Sequence, residues 1–219
     1  MKNNEKINFN KQIFGVAPRN LWGDISNLLF IFLLAVIFIF IAFSRVYTGT
    51  YVKGPSMMPT INKDYLTAPT KEDIAYYRTV DNYDYGDIVI IKTEGKEIIK
   101  RVVGRPGDYI EIKKYSDGKY YLYRNAERIV EDFIYDIDGM VVENEWLDIT
   151  SDGHLTVATN QLFVMGDNRG NSKDSTYYGC FNYSDISGRV DFLVEADENP
   201  FISIFLQMFF PIIRPNTIV

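Results

Sequence analysis

The sequence predicts a mainly β protein preceded by one N-terminal transmembrane helix. Between Asp24 and Arg45 there is no charged residue, and most side chains in that stretch are apolar. From Thr48 to about Asn199 the chain changes to short runs of Tyr, Val, Ile and Thr broken by Gly, Asn and Asp, which is typical of strands. A length of 219 residues suits one anchored domain of ordinary size.

The first element is a predicted transmembrane helix over residues 25–45, which is about the length that crosses a hydrocarbon core. We expect it to stay attached, because residues 42–45 (Ala-Phe-Ser-Arg) include a bulky and a charged residue where a cleaved signal peptide needs small ones. The positive-inside rule places segment 1–24 in the cytoplasm and the rest outside. The basic residues that decide this are Lys2, Lys6, Lys11 and Arg19 before the helix and Arg45 and Lys53 after it.

The predicted β-rich domain covers residues 46–199 and consists of closely spaced strands, which indicates antiparallel hairpins. Its early strand runs are residues 87–91, 97–99, 102–103, 109–112 and 120–123, and its late ones are 161–165 and 188–194. Pro106-Gly107 fits a turn, because proline fixes one φ and glycine accepts a positive one. Residues 132–160 carry loop signals and are interpreted as a possible insertion.

The last segment, residues 200–219, is apolar but short, and Gln207 and Pro211 make it unsuited to spanning a membrane. Two alternatives remain. It can form a helix packed on the domain, or it can lie in the membrane interface.

Composition excludes several classes of function. The net charge of −6 is spread over mixed acidic and basic residues, so no basic stripe is available for nucleic acid. Cys180 is the only cysteine, which rules out an intramolecular disulfide and zinc-type cysteine spacing. We predict no metal and no organic cofactor.

Ser56 and Lys100 are candidates for a nucleophile and its base. A serine hydroxyl needs an adjacent base, and the only histidine, His154, lies in a stretch that reads as a loop. A lysine can serve if its pKa falls by roughly two units from about 10.4, which costs about 3 kcal/mol. Apolar neighbours such as Ile99 and Val102 favour that shift, because burial disfavours the ammonium.

Three segments carry a family resemblance. Residues 56–60 (SMMPT), 100–108 (KRVVGRPGD) and 166–175 (GDNRGNSKDS) resemble, in order and spacing, the successive conserved boxes of bacterial type I signal peptidases. The short chain with one anchor is similar to the compact Gram-positive-type members. The resemblance implies an antiparallel β-sheet catalytic domain. It also implies a serine endopeptidase that cuts signal peptides from exported preproteins after small residues.

The resemblance also implies residue roles. Ser56 is then the nucleophile and Lys100 the general base, with the Ser56 backbone N–H as an oxyanion donor. Ser172 would hold the lysine amine by a hydrogen bond. The remaining supporting residues, which would brace the site, are Asp174, Asp167 and Arg101.

The expected partners are preproteins and membrane lipid; the oligomeric state stays open. We expect the substrate to bind as an extended strand at a sheet edge. The residues predicted to line its groove are Tyr51, Val52, Lys53, Gly54 and Met57, together with residues 64–67. The pair Met57 and Met58, with the apolar C-terminal segment, suggests a catalytic face that dips toward the bilayer.

Three positions depart from the family pattern. Gly54 stands where some members have a serine that adds an oxyanion donor. Gly170 replaces a frequent acidic residue. Thr176 replaces an arginine that often pairs with the aspartate at position 174, which leaves the partner of Asp174 undetermined.

Two other functions compete with this interpretation. A sortase-like transpeptidase would use Cys180 and His154, but residues 178–181 lack the expected threonine and arginine context. A noncatalytic β-rich binding module leaves the three matching segments unexplained.

Overall fold

The computed structural model of the chain describes residues 21–134 and 153–209. It divides into two compact units, Met1–Val46 and Tyr47–Val219. The predictions made for residues 1–20, for the centre of the possible insertion (135–152) and for residues 210–219 fall outside the described residues.

The first unit contains helix α1, Leu21–Val46. Within Trp22–Val46, an 18-residue stretch has a mean hydropathy of 2.9, and none of that stretch is buried within the protein. A helix of this length spans roughly 39 Å at 1.5 Å per residue, more than the ~30 Å hydrocarbon core. It is therefore long and apolar enough to cross a membrane.

The second unit is built from two antiparallel sheets, which confirms the mainly β prediction. The seven-stranded sheet has the order β1-β2-β11-β3-β4-β9-β10 and the four-stranded sheet the order β7-β6-β5-β8. The strands are β1 Thr48–Tyr51, β2 Ile74–Arg78, β3 Ile88–Thr93, β4 Lys96–Gly104, β5 Tyr109–Lys114, β6 Tyr120–Arg124, β7 Glu127–Arg128, β8 His154–Thr156, β9 Gln161–Met165, β10 Phe181–Asn182 and β11 Ile186–Val194. Two α-helices, α2 Ser175–Tyr178 and α3 Pro200–Phe209, and one 3-10 turn, Tyr183–Asp185, accompany the strands.

Strand β4 is central to the larger sheet, between β3 and β9. The predicted runs at 97–99 and 102–103 form this one continuous strand, with Lys100 opposite Val89 and Arg101 opposite Ile88 on β3. Six consecutive residues of β4, 99–104, are buried. The two adjacent basic residues are therefore part of the protein interior and not a solvated charge pair.

The loop predicted for His154 is wrong. His154–Thr156 form strand β8, which pairs with β5, and the His154 ring lies 4.8 Å from that of Tyr109. A three-residue strand at a sheet edge has too little alternation to be recognised in sequence.

Three apolar clusters form the core. One is centred on Val103 and Phe163 between the sheets, and another on Val89 and Val102. The third packs Val52, Met57 and Ile61 against Ile88, Ile90 and Ile99. This third cluster attaches the segment after β1 to strands β3 and β4, and so fixes the position of Ser56.

Helix α3 docks on β11 through Gln207. Its side-chain amide donates to the carbonyl of Leu193 (2.6 Å) and its carbonyl accepts from the Leu193 N–H (3.2 Å). Phe201, Ile202 and Phe205 are exposed on another side of this helix. Of the two alternatives for this segment, a helix packed on the domain describes Pro200–Phe209.

Candidate active site

Ser56 lies in a series of tight turns that follows β1. Gly54 enters these turns with φ of +84°, a conformation that glycine adopts without the strain of a side chain. Hydrogen bonds from the Met58 N–H to the Pro55 carbonyl (3.0 Å) and from the Ile61 N–H to the Met57 carbonyl (2.9 Å) close the turns. Backbone geometry therefore explains why a glycine precedes the Pro55-Ser56 pair.

Lys100 reaches Ser56 from strand β4. Its Nζ atom donates to Ser56 Oγ at 2.8 Å and to the Ile99 carbonyl at 2.7 Å. Lys100 is only 3% exposed. The structure thus brings together the two residues that the sequence predicted as nucleophile and base.

Burial lowers the pKa of Lys100 from its ordinary 10.5 to about 8. The carboxylates of Asp174 and Asp167 act in the opposite direction, because negative charge stabilises the ammonium. Desolvation is the larger effect. A tenth of the amine is then neutral one pH unit below the pKa, so a population able to accept a proton exists near neutrality.

Arg101, the next residue on β4, forms a fully buried ion pair with Asp167. Nε lies 2.8 Å from Oδ1 and Nη2 lies 2.6 Å from Oδ2, so both carboxylate oxygens are engaged. Thr60 also donates its hydroxyl to Asp167, and the Phe133 ring lies 4.0 Å from the Arg101 guanidinium carbon. This pair ties β4, the turn after Ser56 and the loop after β9 together.

Asp174 holds the loop after β9 from its other side. Its Oδ2 accepts the Gly166 N–H (2.9 Å), and its Oδ1 accepts both the N–H (3.1 Å) and the hydroxyl (2.9 Å) of Thr176. Asp174 is 1% exposed and caps α2. The threonine that replaces the family's arginine is thus itself a hydrogen-bond partner of Asp174.

Ser172 lies beside Gly166 but does not bond the lysine in this structure. The Lys100 amine is directed to Ser56 and Ile99, and the buried Ser172 hydroxyl has no hydrogen-bond partner among residues 21–134 and 153–209. A β-carbon on Gly166 would be 2.3 Å from Ser172 Oγ. Ser172 therefore lies against Gly166, in the loop that supports Ser56.

The residues predicted for substrate binding divide into two groups. Tyr51 ends the edge strand β1 and Lys53 follows it; both are exposed, and the outer side of β1 pairs with no described strand. Val52 and Met57 are buried in the core at 4% and 1% exposure. Their side chains therefore pack inward, and their contact with substrate stays a prediction.

Met57 and Met58 give no support to a catalytic face that dips toward the bilayer, which stays a prediction. Met58 is 3% exposed, as deeply buried as its neighbour. Both side chains fill space beneath the turn and have no surface to offer lipid.

Sequence reasoning missed four residues that contact the site. Thr60 and Arg169 lie within the segments that carry the family resemblance, 56–60 and 166–175. Their polar side chains in those segments were the signal that could have identified them as site residues. Glu131 and Phe133 lie outside every motif. Nothing in the sequence marks Phe133 as the partner of Arg101 or Glu131 as the partner of Arg169.

The alternative nucleophile Cys180 is partly buried against the core, and burial raises the pKa of its thiol to about 12. A thiol with this pKa is protonated and therefore a poor nucleophile. Within the part of the chain that the structure describes, no group of three or more His, Cys, Asp or Glu side chains is placed to hold a metal.

The model of the family described as signal peptidase, peptidase S26, matches residues 25–195. Over 160 residues the chain is 32% identical to signal peptidase I P of Bacillus subtilis subsp. natto, covering 71% of this chain and 81% of that protein. It is 30% identical over 165 residues to signal peptidase I S of Bacillus subtilis strain 168, covering 73% and 83%. A solved signal peptidase I from Enterococcus faecalis V583 matches with 27% identity and a TM-score of 0.40, covering 51% of this chain and 98% of that one.

Proposed function

The chain belongs to the signal peptidase, peptidase S26, family, and we propose that it is a membrane-anchored serine endopeptidase in which Ser56 is the nucleophile and Lys100 the general base. The observation that carries this proposal is the 2.8 Å contact between Lys100 Nζ and Ser56 Oγ, made by a buried lysine whose pKa is lowered to about 8. The substrates proposed are exported preproteins, cut after small residues.

The first half of the reaction forms an ester. When Lys100 is neutral, the donor and acceptor of this hydrogen bond exchange roles, and the Ser56 hydroxyl donates to the amine. The amine takes this proton as Oγ attacks the scissile carbonyl carbon. The resulting ammonium then protonates the leaving amine as the C–N bond breaks, which leaves the signal peptide esterified to Ser56.

The second half of the reaction releases the signal peptide. The amine, neutral again, takes a proton from water as the water oxygen attacks the ester, and then returns that proton to Ser56 Oγ. One lysine therefore serves as base and as acid in each half.

The Ser56 backbone N–H is the proposed oxyanion donor. It makes no hydrogen bond to another main-chain group within residues 21–134 and 153–209, so it can stabilise charge that develops on the carbonyl oxygen. Gly54 supplies no hydroxyl, and its φ of +84° favours glycine. A second donor must come from another group.

Substrate binding is proposed along the outer edge of β1. Main-chain hydrogen bonds to an edge strand give affinity, while side-chain pockets give specificity. Tyr51 and Lys53 are the exposed candidates of this stretch, and Gly54 links it to Ser56. The preprotein cleavage point would then lie beside the nucleophile.

The proposed location is the cell membrane. Residues 25–45 are the anchor, with a cytoplasmic N-terminus and an extracytoplasmic peptidase domain over residues 46–199. Confining the enzyme and its membrane-inserted substrates to one layer raises their effective concentration. Contact of Ile202 and its neighbours on α3 with the interface remains part of this proposal.

The test uses purified full-length protein in detergent with a preprotein whose signal ends in Ala-X-Ala. Mass spectrometry locates the cut for wild type, Ser56→Ala, Lys100→Met and, as a control, Cys180→Ser. We expect cleavage after the final alanine in wild type and Cys180→Ser only. Cleavage that survives in Ser56→Ala or Lys100→Met overturns the proposed pair, and loss in Cys180→Ser alone favours the cysteine alternative.

A further inference from the structure

A second buried ion pair lies behind the loop after β9 and takes no part in the reaction described above. Arg169 Nη2 contacts a carboxylate oxygen of Glu131, and both side chains are 2% exposed. The other oxygen of Glu131 accepts no hydrogen bond from a described residue. Glu131 therefore acts on the rest of the molecule mainly through Arg169.

Arg169 in turn holds Gly166. Its Nε donates to the Gly166 carbonyl at 3.0 Å. The N–H of Gly166 is bound on the other side by Asp174, at 2.9 Å. Both polar main-chain groups of this glycine are thus fixed by buried charged side chains. Burying charged groups costs free energy, so this arrangement is unusual for a loop residue.

Gly166 and its neighbour Asn168 contact the main chain of the proposed nucleophile. A β-carbon at Gly166 would lie 2.4 Å from the Ser56 carbonyl oxygen, so the two backbones touch. The Asn168 N–H donates to that same oxygen at 3.1 Å, and its side-chain amide donates to the Pro55 carbonyl at 3.2 Å. The loop after β9 therefore determines where Ser56 lies.

The segment that supplies Glu131 also reaches the other buried arginine. Two residues further on, Phe133 places its ring 4.0 Å from the guanidinium carbon of Arg101. Segment 129–134, which follows β7 of the smaller sheet, thus contacts Arg101 beside the proposed base and Arg169 behind the proposed nucleophile.

We propose that Glu131 is a positioning residue for the peptidase reaction: by fixing Arg169, it keeps the Gly166 carbonyl in place and holds Ser56 within hydrogen-bond distance of Lys100. This inference rests on the proposed function, since it concerns the same serine. It adds a residue from outside the three motifs that carry the family resemblance.

A purely electrostatic role for Glu131 makes a different prediction. If the carboxylate only neutralises a buried arginine, then replacing both residues by apolar ones of similar volume leaves no unpaired buried charge. Both folding and turnover should then return. If Arg169 is needed to hold Gly166, the double replacement restores folding but not turnover. The variants Glu131→Gln and Glu131→Met/Arg169→Met separate these cases.

Cleavage is measured with full-length protein in detergent, and kcat and KM are determined separately. For Glu131→Gln we expect kcat to fall about tenfold with KM within about twofold, because misplacing a reacting group affects the transition state more than binding. We expect the half-maximal pH to stay near 8, since burial of Lys100 sets it. For the double variant we expect near-normal thermal unfolding and kcat still about tenfold low.

The matched control is Glu127→Gln, an exposed glutamate on β7 four positions earlier. It should leave kcat unchanged. A double variant whose kcat returns to within about twofold of wild type overturns the proposal. If the double variant does not fold, an unaltered kcat in Glu131→Gln is by itself enough to overturn the proposal.

Hydrogen exchange gives a readout that does not depend on activity. The Asn168 N–H is protected by its bond to Ser56, so loosening Gly166 should speed exchange in a peptide covering residues 164–171. Unchanged exchange there in Glu131→Gln contradicts the positioning role. If wild type itself fails to cleave any preprotein, the proposed function fails, while the exchange experiment still decides whether Glu131 braces this loop.

Discussion

Gly166 touches the main chain of Ser56 directly: a β-carbon on Gly166 would lie 2.4 Å from the Ser56 carbonyl oxygen. At this glycine the loop after β9 meets the turn that carries the proposed nucleophile main chain to main chain. The distance between Ser56 and Lys100 therefore depends on the absence of a methyl group on this glycine.

Gly166→Ala is expected to abolish most activity. The added carbon would meet the Ser56 oxygen and the Ser172 hydroxyl at 2.4 and 2.3 Å, so the Ser56 turn must move. We expect kcat to fall at least about 100-fold, since displacement of a reacting group by about 1 Å costs that much. Steady-state cleavage of a preprotein measures it.

The matched control for this change is Gly170→Ala. A β-carbon at Gly170 has no neighbour within 4 Å. Its kcat and unfolding temperature should match those of wild type. Equal losses in the two variants would contradict the contact argument.

The rate of cleavage should rise with pH through about 8. The proposed base acts as the neutral amine, and the pKa of Lys100 is lowered to about 8 by burial. Turnover at pH 7 should therefore be about one tenth of its alkaline plateau, with a slope of one proton on the acid side. A pH profile measured between 6 and about 9.5 checks this. A flat profile, or a midpoint near 6.5, would argue against a lysine base.

Lys100→Met should inactivate the enzyme yet stabilise its fold at neutral pH. The folded pKa lies below the unfolded value of 10.5, so the unfolded state binds more protons between pH 8 and 10.5. Wild-type stability thus rises with pH in that window by about 3 kcal/mol, and the cost of the buried ammonium is fully present below pH 8.

Denaturant unfolding in detergent measures this effect as the difference between Lys100→Met and wild type. We expect the variant to gain about 1–3 kcal/mol at pH 7, less than the full amount because two hydrogen bonds of the amine are lost. The gain should shrink as pH rises toward 10.5. A variant less stable than wild type at pH 7 would contradict a desolvated lysine.

Asp167→Ala should destabilise the domain strongly. It leaves the fully buried Arg101 without its carboxylate, and breaking such a pair costs about 3–5 kcal/mol. The control is Asp197→Ala, which removes an exposed partner of Lys71 and should change stability by less than about 1 kcal/mol. Denaturant midpoints of the two variants make the comparison. Similar midpoints would mean that the buried pair is not a structural element.

The sequence predicted the mainly β class and the neighbours Ser56 and Lys100, because local composition and motif spacing carry that information. It did not predict where Met57 points. From sequence, a methionine beside a reactive serine is interpreted as a residue that covers the site. Its burial depends on Ile88, Ile90 and Ile99, which lie on strands β3 and β4 later in the chain. Long-range packing of this kind has no local signal.

The side-chain contacts that residues outside the motifs make with the site could not be predicted from the sequence either. Glu131 and Phe133 follow a two-residue strand, and their partners Arg169 and Arg101 are distant in sequence. An acidic residue is ordinarily solvated, so only the fold reveals that Glu131 is buried. The same holds for Thr176, whose role as partner of Asp174 depends on the position of α2.

The position of β11 in the sheet sets the order in which the site can be completed. Within residues 21–134 and 153–209, strands β1 and β2 pair with β3 and β4 only through β11, which is the last described strand. During synthesis, residues 186–194 emerge after both Ser56 and Lys100, so the seven-stranded sheet can form only after β11 has been made. A chain that has not yet reached β11 therefore lacks the strand pairing that joins β1, just before Ser56, to the half of the sheet that carries Lys100.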